Sequence, residues 1–216
     1  MPRALILGGT GGIGLAAARR LLAAGWQVDL NGRDLSRLPG DVVADGARFF
    51  AADRGDAAGL GRTVGAGADL LIDCVCYTAA DAASLLPFLP SVNSTVMLSS
   101  KAVYVDAAGR HANSKPGPRF AGPVPESQPT VAPSDAAPDS AVPDSAAGYG
   151  AHKVAAEQVL LDSGAPVSVL RPSKVHGAGL RRPREWVFLK RVLDRRPAVL
   201  LAHHGAGQDH TCAAAP

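Results

Sequence analysis

The sequence is poor in aromatic residues, in cysteine and in long apolar runs, and each scarcity excludes a class of protein. Aromatic residues make up 5% of the 216 residues, so alanine, valine and leucine must build most of the core. No run of about 18 apolar residues occurs, which excludes a membrane-spanning helix. The three cysteines (Cys74, Cys76 and Cys212) are too few for a disulfide framework. They indicate a reducing compartment, and we expect the cytoplasm.

The termini and the charge give a weaker indication of partners. A glycine-rich run begins at Gly8, too early for the apolar stretch of a secretory signal. The net charge of +3 is too small to indicate nucleic-acid binding. Residues 171–196 hold nine Lys or Arg against two acids. This stretch is either a solvated basic helix face or a means of attracting an anionic small-molecule substrate.

Short apolar segments alternate with helix-like segments along most of the chain. Strand-like segments lie at 3–7, 26–30, 47–52, 69–76, 95–99 and 166–170. Helical apolar spacing occurs at 13–24 and 149–163, and each of these helices is followed by a glycine, Gly25 or Gly164. The alternation predicts an α/β fold, a doubly wound parallel sheet of Rossmann type over residues 1–180. Residues 181–216 are expected to form part of a substrate-binding region.

A proline-rich segment interrupts this alternation. Residues 116–147 contain eight prolines among alanine, serine and aspartate, which excludes a regular helix or a central strand. A long loop is therefore predicted. Such a loop is either a disordered insertion or a lid over the mouth of the active site.

The most specific motif is the glycine loop between the first strand and the first helix. Gly8, Gly11 and Gly14 are spaced three residues apart, and Thr10, Gly12 and Ile13 complete the run. These glycines permit a tight turn, the approach of a pyrophosphate to backbone amides, and close packing of helix on strand. The N-terminus of the following helix favours the phosphates. The context of strand, turn and helix predicts a dinucleotide site.

The residues after the second strand bear on the choice of cofactor. Arg33 follows Asn31 and Gly32, and a guanidinium suits a 2′-phosphate, so NADP is favoured. Asp34 is the next residue, and a shift of one position would instead favour NAD through the ribose hydroxyls. Asp53, after the third strand, either meets the adenine edge or is an ordinary loop aspartate.

A candidate catalytic pair follows the proline-rich segment. Tyr149 and Lys153 are four residues apart and share one face of a helix. A phenol with a pKa of about 10 is a poor base at neutral pH. A nearby ammonium is expected to lower that pKa, and the same lysine could bind the nicotinamide ribose.

Two serines, Ser99 and Ser100, follow the fifth predicted strand, where ligands of open α/β sheets bind. The order of glycine loop, serine and Tyr/Lys pair resembles that of the extended short-chain dehydrogenases/reductases, and more closely the NAD-dependent epimerase/dehydratase family. The turn around Asp53 and the run from Leu170 to Gly177 strengthen the resemblance, which covers about residues 3–190.

The resemblance implies roles for individual residues. The catalytic hydroxyl is expected at Ser100, three residues before the Val of Val103-Tyr104. Tyr149 would be the general acid/base, with Lys153 as its partner and ribose ligand. Val75 and Cys76 would line the cofactor. The implied reaction oxidises a hydroxyl or reduces a carbonyl, on a substrate that resembles a nucleotide sugar.

Two features depart from the family. Ser100 and Tyr149 are 49 residues apart, wider than usual, and the proline-rich segment accounts for the excess. Family members also continue further after the sixth strand, so the chain is expected to be a shortened form or to complete its site with a partner or in a homodimer.

Alternative functions can be ranked from the same residues. A sensor or scaffold that binds a dinucleotide without chemistry is the main alternative to an enzyme. Nucleic-acid binding is the least favoured hypothesis. No metal site is expected, because His203, His204, His210 and Cys212 form no convincing ligand set. Cys76 as a nucleophile is a weaker hypothesis than Cys76 as a small buried residue.

Overall fold

A six-stranded parallel sheet, in the order β3-β2-β1-β4-β5-β6, forms the centre of the fold. The computed structural model describes residues 1–112, 114–135, 146–177, 180, 185–200 and 211–214. The strands are β1 (Arg3–Leu7), β2 (Gln27–Gly32), β3 (Arg48–Ala51), β4 (Leu70–Asp73), β5 (Thr95–Leu98) and β6 (Val167–Leu170). A parallel pair, β7 (Lys174–His176) and β8 (Thr211–Ala213), lies outside this sheet. The order reverses between β1 and β4, and ligands bind beyond the carboxyl ends of strands at such a point.

The helices connect the strands and cover the sheet. They are α1 (Gly12–Ala23), α2 (Gly40–Ala44), α3 (Ala57–Val64), α4 (Ala79–Ala83), α5 (Ala146–Leu161) and α6 (Trp186–Leu193). Three short 3-10 helices lie at Leu35–Arg37, Leu86–Ser91 and Lys101–Val103. Within these described residues, no helix is both long enough and apolar enough to cross a bilayer.

The central strand β1 is buried on both faces, as the apolar run of its sequence predicts. Leu5 and Leu7 pack into one core cluster, with Leu71 and Met97 of the neighbouring strands. Ile6 points to the opposite face and packs into a second cluster with residues of α1 and β2. Successive side chains of a strand alternate between faces, so one short strand joins both layers of the core.

The buried charge of Asp29 ties β2 to both of its neighbours. Arg3 of β1 donates from Nε to its carboxylate at 2.7 Å, and Arg48 of β3 donates from Nε at 2.7 Å. The carboxylate side chain has no exposed surface. Burial disfavours the ion, but the hydrogen bonds from Arg48 and Arg3 outweigh that and hold the pKa of Asp29 below its usual value.

The predicted fold class and all six predicted strands of the sheet are confirmed, with small shifts of their ends. Strand β2 runs on to Gly32, two residues further than predicted, because Phe50 and Ala51 of β3 pair with its end. Strand β4 stops at Asp73, three residues short of the prediction, because the chain leaves the sheet at Cys74. The pair β7 and β8 was not predicted, since three-residue strands carry no periodic signal.

Part of the proline-rich segment packs against the domain. Residues 116–135 form no regular helix or strand, as predicted. The amide of Val131 donates to Val103, and that of Ser134 donates to Ala151 of α5, at 2.8 and 3.2 Å. The range 136–145 lies outside the described residues. The first turn of α5 falls at Ala146, inside the range predicted as a loop.

Replacing Asp29 by Asn should destabilise the protein strongly. The change leaves the side chain of Arg3 without its buried carboxylate, and breaking a buried pair costs about 3–5 kcal/mol. Folding lowers the pKa of Asp29, so its ionised carboxylate stabilises the folded protein at pH values above the unfolded-state pKa. This stabilisation is lost as the pH falls through the folded-state pKa. Urea denaturation measures the free energy of unfolding of the parent protein and of Asp29→Asn. The difference between the two should be large at pH 7 and smaller at acid pH. The matched control is Asp41→Asn, which breaks the exposed pair with Arg19 and should cost less than about 1 kcal/mol.

Candidate functional site

The loop between β1 and α1 presents backbone amides at the carboxyl edge of the sheet. Gly8 has a φ of +75°, which favours glycine, and its carbonyl accepts from the amide of Gly11 at 3.0 Å. Gly11 is the N-cap of α1, and no side chain caps this helix. The amides at Gly12 and Ile13 therefore begin the helix without a side-chain acceptor, which is the arrangement that binds phosphates. Thr10 lies within the same turn.

Space around these glycines tests whether a cofactor fits. A Cβ on Gly14 would lie 2.7 Å from the carbonyl oxygen of Gly8 and 2.9 Å from the Cα of Gly9. A Cβ on Gly8 would lie 2.7 Å from Cγ1 of Val75, so Val75 packs directly against the loop. The loop therefore packs so closely against α1 and against Val75 that neither glycine could carry a side chain. This is the geometry that a pyrophosphate against bare backbone requires, and the residues fit a dinucleotide.

A cavity of about 350 Å³ lies next to this loop. Ile13 forms one side, and Leu98 and Leu170 at the ends of β5 and β6 form another. The remaining wall is lined by Arg171, Pro172, Val175, Cys212, Ala213 and Ala214. The cavity therefore occupies the position in which open α/β sheets bind ligands.

The two residues that bear on cofactor choice, Arg33 and Asp34, directly follow β2 and differ in their contacts. Arg33 is exposed and has no ionic or hydrogen-bond partner in the described part of the chain. The carboxylate of Asp34 accepts from the amide of Ser36 at 3.0 Å and from its hydroxyl at 2.6 Å. The bond from the Ser36 hydroxyl is the main reason that the pKa of Asp34 is lowered. Asp34 is thus engaged as a helix cap, and Arg33 is available.

Asp53 is also engaged locally. It is exposed, and its Oδ1 accepts from the amide of Gly55 at 2.8 Å, which closes a turn after β3. This is the ordinary loop role, and contact with an adenine stays a prediction.

Helix α5 carries a stripe of polar residues that faces the site. Lys153 is 2% exposed, and its Nζ donates to the carbonyl oxygens of Cys76 and Leu98 at 2.6 and 2.8 Å. Glu157, one turn later, is equally buried. The ammonium thus joins the chain leaving β4 to the last residue of β5.

Tyr149 lies one turn before Lys153, and its side chain is hydrogen-bonded to Ser100. Burial raises the pKa of Tyr149, neighbouring Tyr77 adds to the rise, and the bond with Ser100 opposes it. The expectation that Lys153 lowers this pKa is wrong in this structure. The ammonium is 5.9 Å from the ring centre of Tyr149 and is directed at the two carbonyl groups instead.

The two adjacent serines have different partners. Ser100 bonds to Tyr149 and accepts from the amide of Ala102 at 3.2 Å. Ser99 is buried and donates to Glu157. The structure thus brings together the three residues expected to be catalytic (Ser100, Tyr149 and Lys153) and places Ser99 in a separate network.

The predicted lining by Cys76 needs correction. Its side chain has no exposed surface and packs in the core beneath the sheet, so only its carbonyl oxygen reaches the site, through Lys153. Burial raises the pKa of the Cys76 thiol to about 12, which argues against a nucleophile. Val75 is the residue of this stretch whose side chain packs against the glycine loop.

Sequence reasoning missed several residues of this region. Glu157 binds Arg171 through two bonds, at 2.5 and 3.2 Å, and Arg171 stacks on Tyr104 with 5.0 Å to the ring centre. Glu157 could have been found, because it continues the four-residue spacing of Tyr149 and Lys153. Tyr77 also faces Lys153, but it carries no motif.

The basic stretch is partly neutralised by internal pairs. Arg171 pairs with Glu157, and Lys190 and Arg196 pair with Asp194. Helix α6 within this stretch has no buried residue. In the described residues, no group of three or more His, Cys, Asp or Glu could hold a metal ion. His203, His204 and His210 lie outside those residues.

Comparison with known proteins identifies the family. The model of the NAD dependent epimerase/dehydratase family matches residues 4–207, and the chain belongs to this family. No curated protein matches the sequence.

Solved structures share the fold at low sequence identity. The dTDP-glucose 4,6-dehydratase of Bacillus anthracis, in complex with NAD, superposes with a TM-score of 0.70 at 14% identity, over 99% of this chain and 68% of that one. The UDP-glucose 4-epimerase of Thermus thermophilus with NAD gives 0.68 at 20% identity, over 98% and 70%. The UDP-glucuronic acid 4-epimerase of Bacillus cereus, with UDP-glucuronic acid and NAD, gives 0.64 at 15%, over 98% and 69%.

Replacing Gly14 by Ala should abolish dinucleotide binding and destabilise the protein. The new methyl group meets backbone atoms of Gly8 and Gly9, so α1 must move away from the loop. Overpacking of this kind costs about 1–3 kcal/mol. Titration with NADH fluorescence, together with thermal unfolding, measures both effects. The control is Gly40→Ala at the start of α2, where a Cβ meets nothing within 4 Å. Unimpaired NADH binding by the Gly14 variant would contradict the assignment of this loop.

Proposed function

We propose that this member of the NAD dependent epimerase/dehydratase family is an enzyme that exchanges a hydride with a nicotinamide cofactor, at a hydroxyl or carbonyl carbon of a nucleotide-sugar-like substrate. The observation that carries the proposal is the convergence of three side chains at the carboxyl edge of the sheet, beside the dinucleotide loop. Buried Lys153 donates to the carbonyl oxygens of Cys76 and Leu98 and lies 5.9 Å from the ring centre of Tyr149, and Ser100 is near enough to influence the pKa of Tyr149. A purely structural tyrosine would need neither a hydroxyl partner at the carboxyl edge of the sheet nor a neighbouring lysine.

The glycine loop and Lys153 would hold the cofactor. The amides at the start of α1 suit the pyrophosphate, and Lys153 has one N–H beyond the two that it donates to carbonyl groups. That third donor can serve the nicotinamide ribose. When bound, the nicotinamide supplies the hydride acceptor or donor, and the protein supplies position and proton transfer.

Ser100 and Tyr149 would handle the substrate oxygen. The hydroxyl of Ser100 holds the oxygen at the end of β5, and Tyr149 exchanges a proton with it. In reduction, the carbon gains the hydride and the oxygen takes the phenol proton; in oxidation, both move in reverse. Because burial keeps the pKa of Tyr149 above its ordinary value, the phenol is protonated at neutral pH and is ready to act as the acid.

The proposed substrate class rests on the family and on the solved structures with the same fold. Their names specify dTDP-glucose, UDP-glucose and UDP-glucuronic acid as the compounds on which those enzymes act. The cavity of about 350 Å³ beside Ile13, at the carboxyl edge of the sheet, offers space for such a compound. The same chemistry accommodates an epimerase, a dehydratase or a reductase.

We further propose that NADP is the preferred form of the cofactor. The guanidinium of Arg33 supports this, since it has no partner among the described residues and is placed after β2, where the adenosine ribose of a Rossmann domain binds. Asp34, which would support NAD, already accepts two bonds from Ser36.

A dinucleotide sensor without chemistry is the second candidate function. The raised pKa of Tyr149 favours it, because a phenol that keeps its proton is a poor base for oxidising a hydroxyl. Tight binding of NADPH without hydride exchange, tested over a panel of sugar nucleotides and ketones, would identify a sensor.

Replacing Tyr149 by Phe should remove turnover and leave cofactor binding intact. The change deletes the proton donor and keeps the ring, and general acid–base catalysis contributes about 10²–10⁴-fold. Turnover is followed by NADPH absorbance in single-turnover mixtures with the substrate panel, and binding by NADPH fluorescence. Full activity in the variant would refute the role of Tyr149. Loss of NADPH binding would show instead that the Tyr149 hydroxyl helps to hold the cofactor.

Replacing Arg33 by Gln should weaken NADPH binding by about 10- to 100-fold, as expected for losing a charge-assisted bond. NADH binding should change little, because NADH has no 2′-phosphate. Parallel fluorescence titrations with the two cofactors give the ratio. The matched control is Arg37→Gln, an exposed arginine of the neighbouring 3-10 helix. An equal loss for both cofactors would overturn the preference for NADP.

A further inference from the structure

Lys153 is a buried cation without a carboxylate in direct contact. No acidic oxygen lies within salt-bridge distance of its ammonium among the described residues. Asp73, the acid at the end of β4, is bound by Arg54 at 2.5 Å, and Glu157 is bound by Arg171 at 2.5 Å. Burial lowers the pKa of Lys153, and more distant acids only partly oppose this. Among the described residues, the short-range contacts of the ammonium are therefore with uncharged groups.

Two of the three N–H groups of the ammonium have conventional partners. They donate to the carbonyl oxygens of Cys76 and Leu98 at 2.6 and 2.8 Å. The aromatic ring of Tyr77 covers the ammonium, with 4.5 Å from Nζ to the ring centre. That distance is well inside the range of about 6 Å for cation–π attraction. The ring of Tyr149 is further away, at 5.9 Å.

The main chain fixes Tyr77 while its ring stays accessible. The amide of Tyr77 donates to Oδ2 of Asp81 at 2.8 Å, and Thr78 and Asp81 form the capping box of α4. Tyr77 is nevertheless 48% exposed, whereas Lys153 beneath it is 2% exposed. A half-exposed aromatic ring gains little stability from core packing. Packing alone therefore does not account for the position of the Tyr77 ring over the ammonium.

We propose that Tyr77 is a positioning residue of the cofactor site, which holds the buried ammonium of Lys153 through the face of its ring. The inference rests on the proposed function only for what Lys153 does with the cofactor. The ring holds the cation where its remaining N–H faces the site, and it shares this corner with Tyr149, whose ring centre is 6.5 Å away. Tyr77 has no role in proton transfer in this proposal.

Several groups besides the Tyr77 ring influence the pKa of Lys153. Four of them act through their charge: Cys76, Asp73, Asp81 and Glu157. The rings of two phenols, Tyr77 and Tyr149, also face the ammonium. Replacing Tyr77 by Leu leaves the acids in place and removes the ring. The charged form of Lys153 loses a favourable contact, so its pKa falls below the value in the parent protein.

The test is competitive amine labelling of the cofactor-free protein with acetic anhydride across a range of pH, read at Lys153 by mass spectrometry. Only the neutral amine reacts, so the midpoint of the rate against pH reports the pKa. In Tyr77→Leu the midpoint should move to lower pH, and the neutral fraction at pH 7 should rise by roughly 3- to 30-fold. Tyr77→Phe, which keeps the ring, should leave the midpoint in place.

A second variant separates the electrostatic effect from packing. Pentafluorophenylalanine at position 77 keeps the size of the ring and reverses its quadrupole, so the midpoint should again move to lower pH. A midpoint that is unchanged in both this protein and Tyr77→Leu would overturn the proposal. A faster rate at every pH with the same midpoint would do so too, because it would show that the ring only shields the amine.

NADH titrations across the same pH range separate this inference from the proposed function. If Lys153 binds the ribose, the alkaline loss of NADH affinity should move to lower pH in Tyr77→Leu along with the labelling midpoint. A shifted midpoint with an unchanged affinity profile would keep the role of Tyr77 and refute Lys153 as a cofactor ligand.

Discussion

The site depends on the two hydrogen bonds that Lys153 donates to the carbonyl oxygens of Cys76 and Leu98. Leu98 is the last residue of β5, Cys76 lies three residues beyond the end of the adjacent strand β4, and Lys153 belongs to α5. One buried cation therefore fixes the distance between β4, β5 and α5. Since Tyr149 is one turn away on the same helix, and Ser100 is two residues beyond Leu98, the same bonds place the two hydroxyl groups against each other. A buried charge with satisfied donors is costly to move, so the geometry is preorganised.

A second buried network holds the other end of α5. Glu157 accepts from Ser99 and binds Arg171, which stacks on Tyr104 and lines the cavity. The adjacent serines thus divide two tasks: Ser99 anchors the helix, and Ser100 faces the candidate catalytic tyrosine. Exchanging their partners would require β5 to slip by one residue, which would reverse the side-chain direction along the whole strand.

The sequence predicts the frame of this protein better than the electrostatics of its site. The strands of the sheet, the glycine loop and the Tyr149/Lys153 pair follow from local patterns, because period and turn chemistry are properties of short segments. The grouping of Ser100 with that pair was predicted from the resemblance to the family. The pKa of Tyr149 and the burial of Cys76 could not be obtained in that way. Both depend on which groups meet across β4, β5 and α5, and Lys153 turned out to face carbonyl groups and Tyr77. Pairs such as Glu157 and Arg171 lie on separate elements, so no local spacing reveals them together.

The small sheet of β7 and β8 forms one wall of the cavity, and this wall is attached to the fold differently from the cavity floor. The floor is the end of a six-stranded sheet with core on both faces, whereas residues 212–214 are attached through a parallel pair of three residues each. Parallel pairs are weak for each residue, and two strands alone are marginally stable. We therefore expect this wall to open at a lower free energy than the whole domain. Opening of this wall would widen the cavity and leave the dinucleotide loop and the Tyr/Lys helix folded.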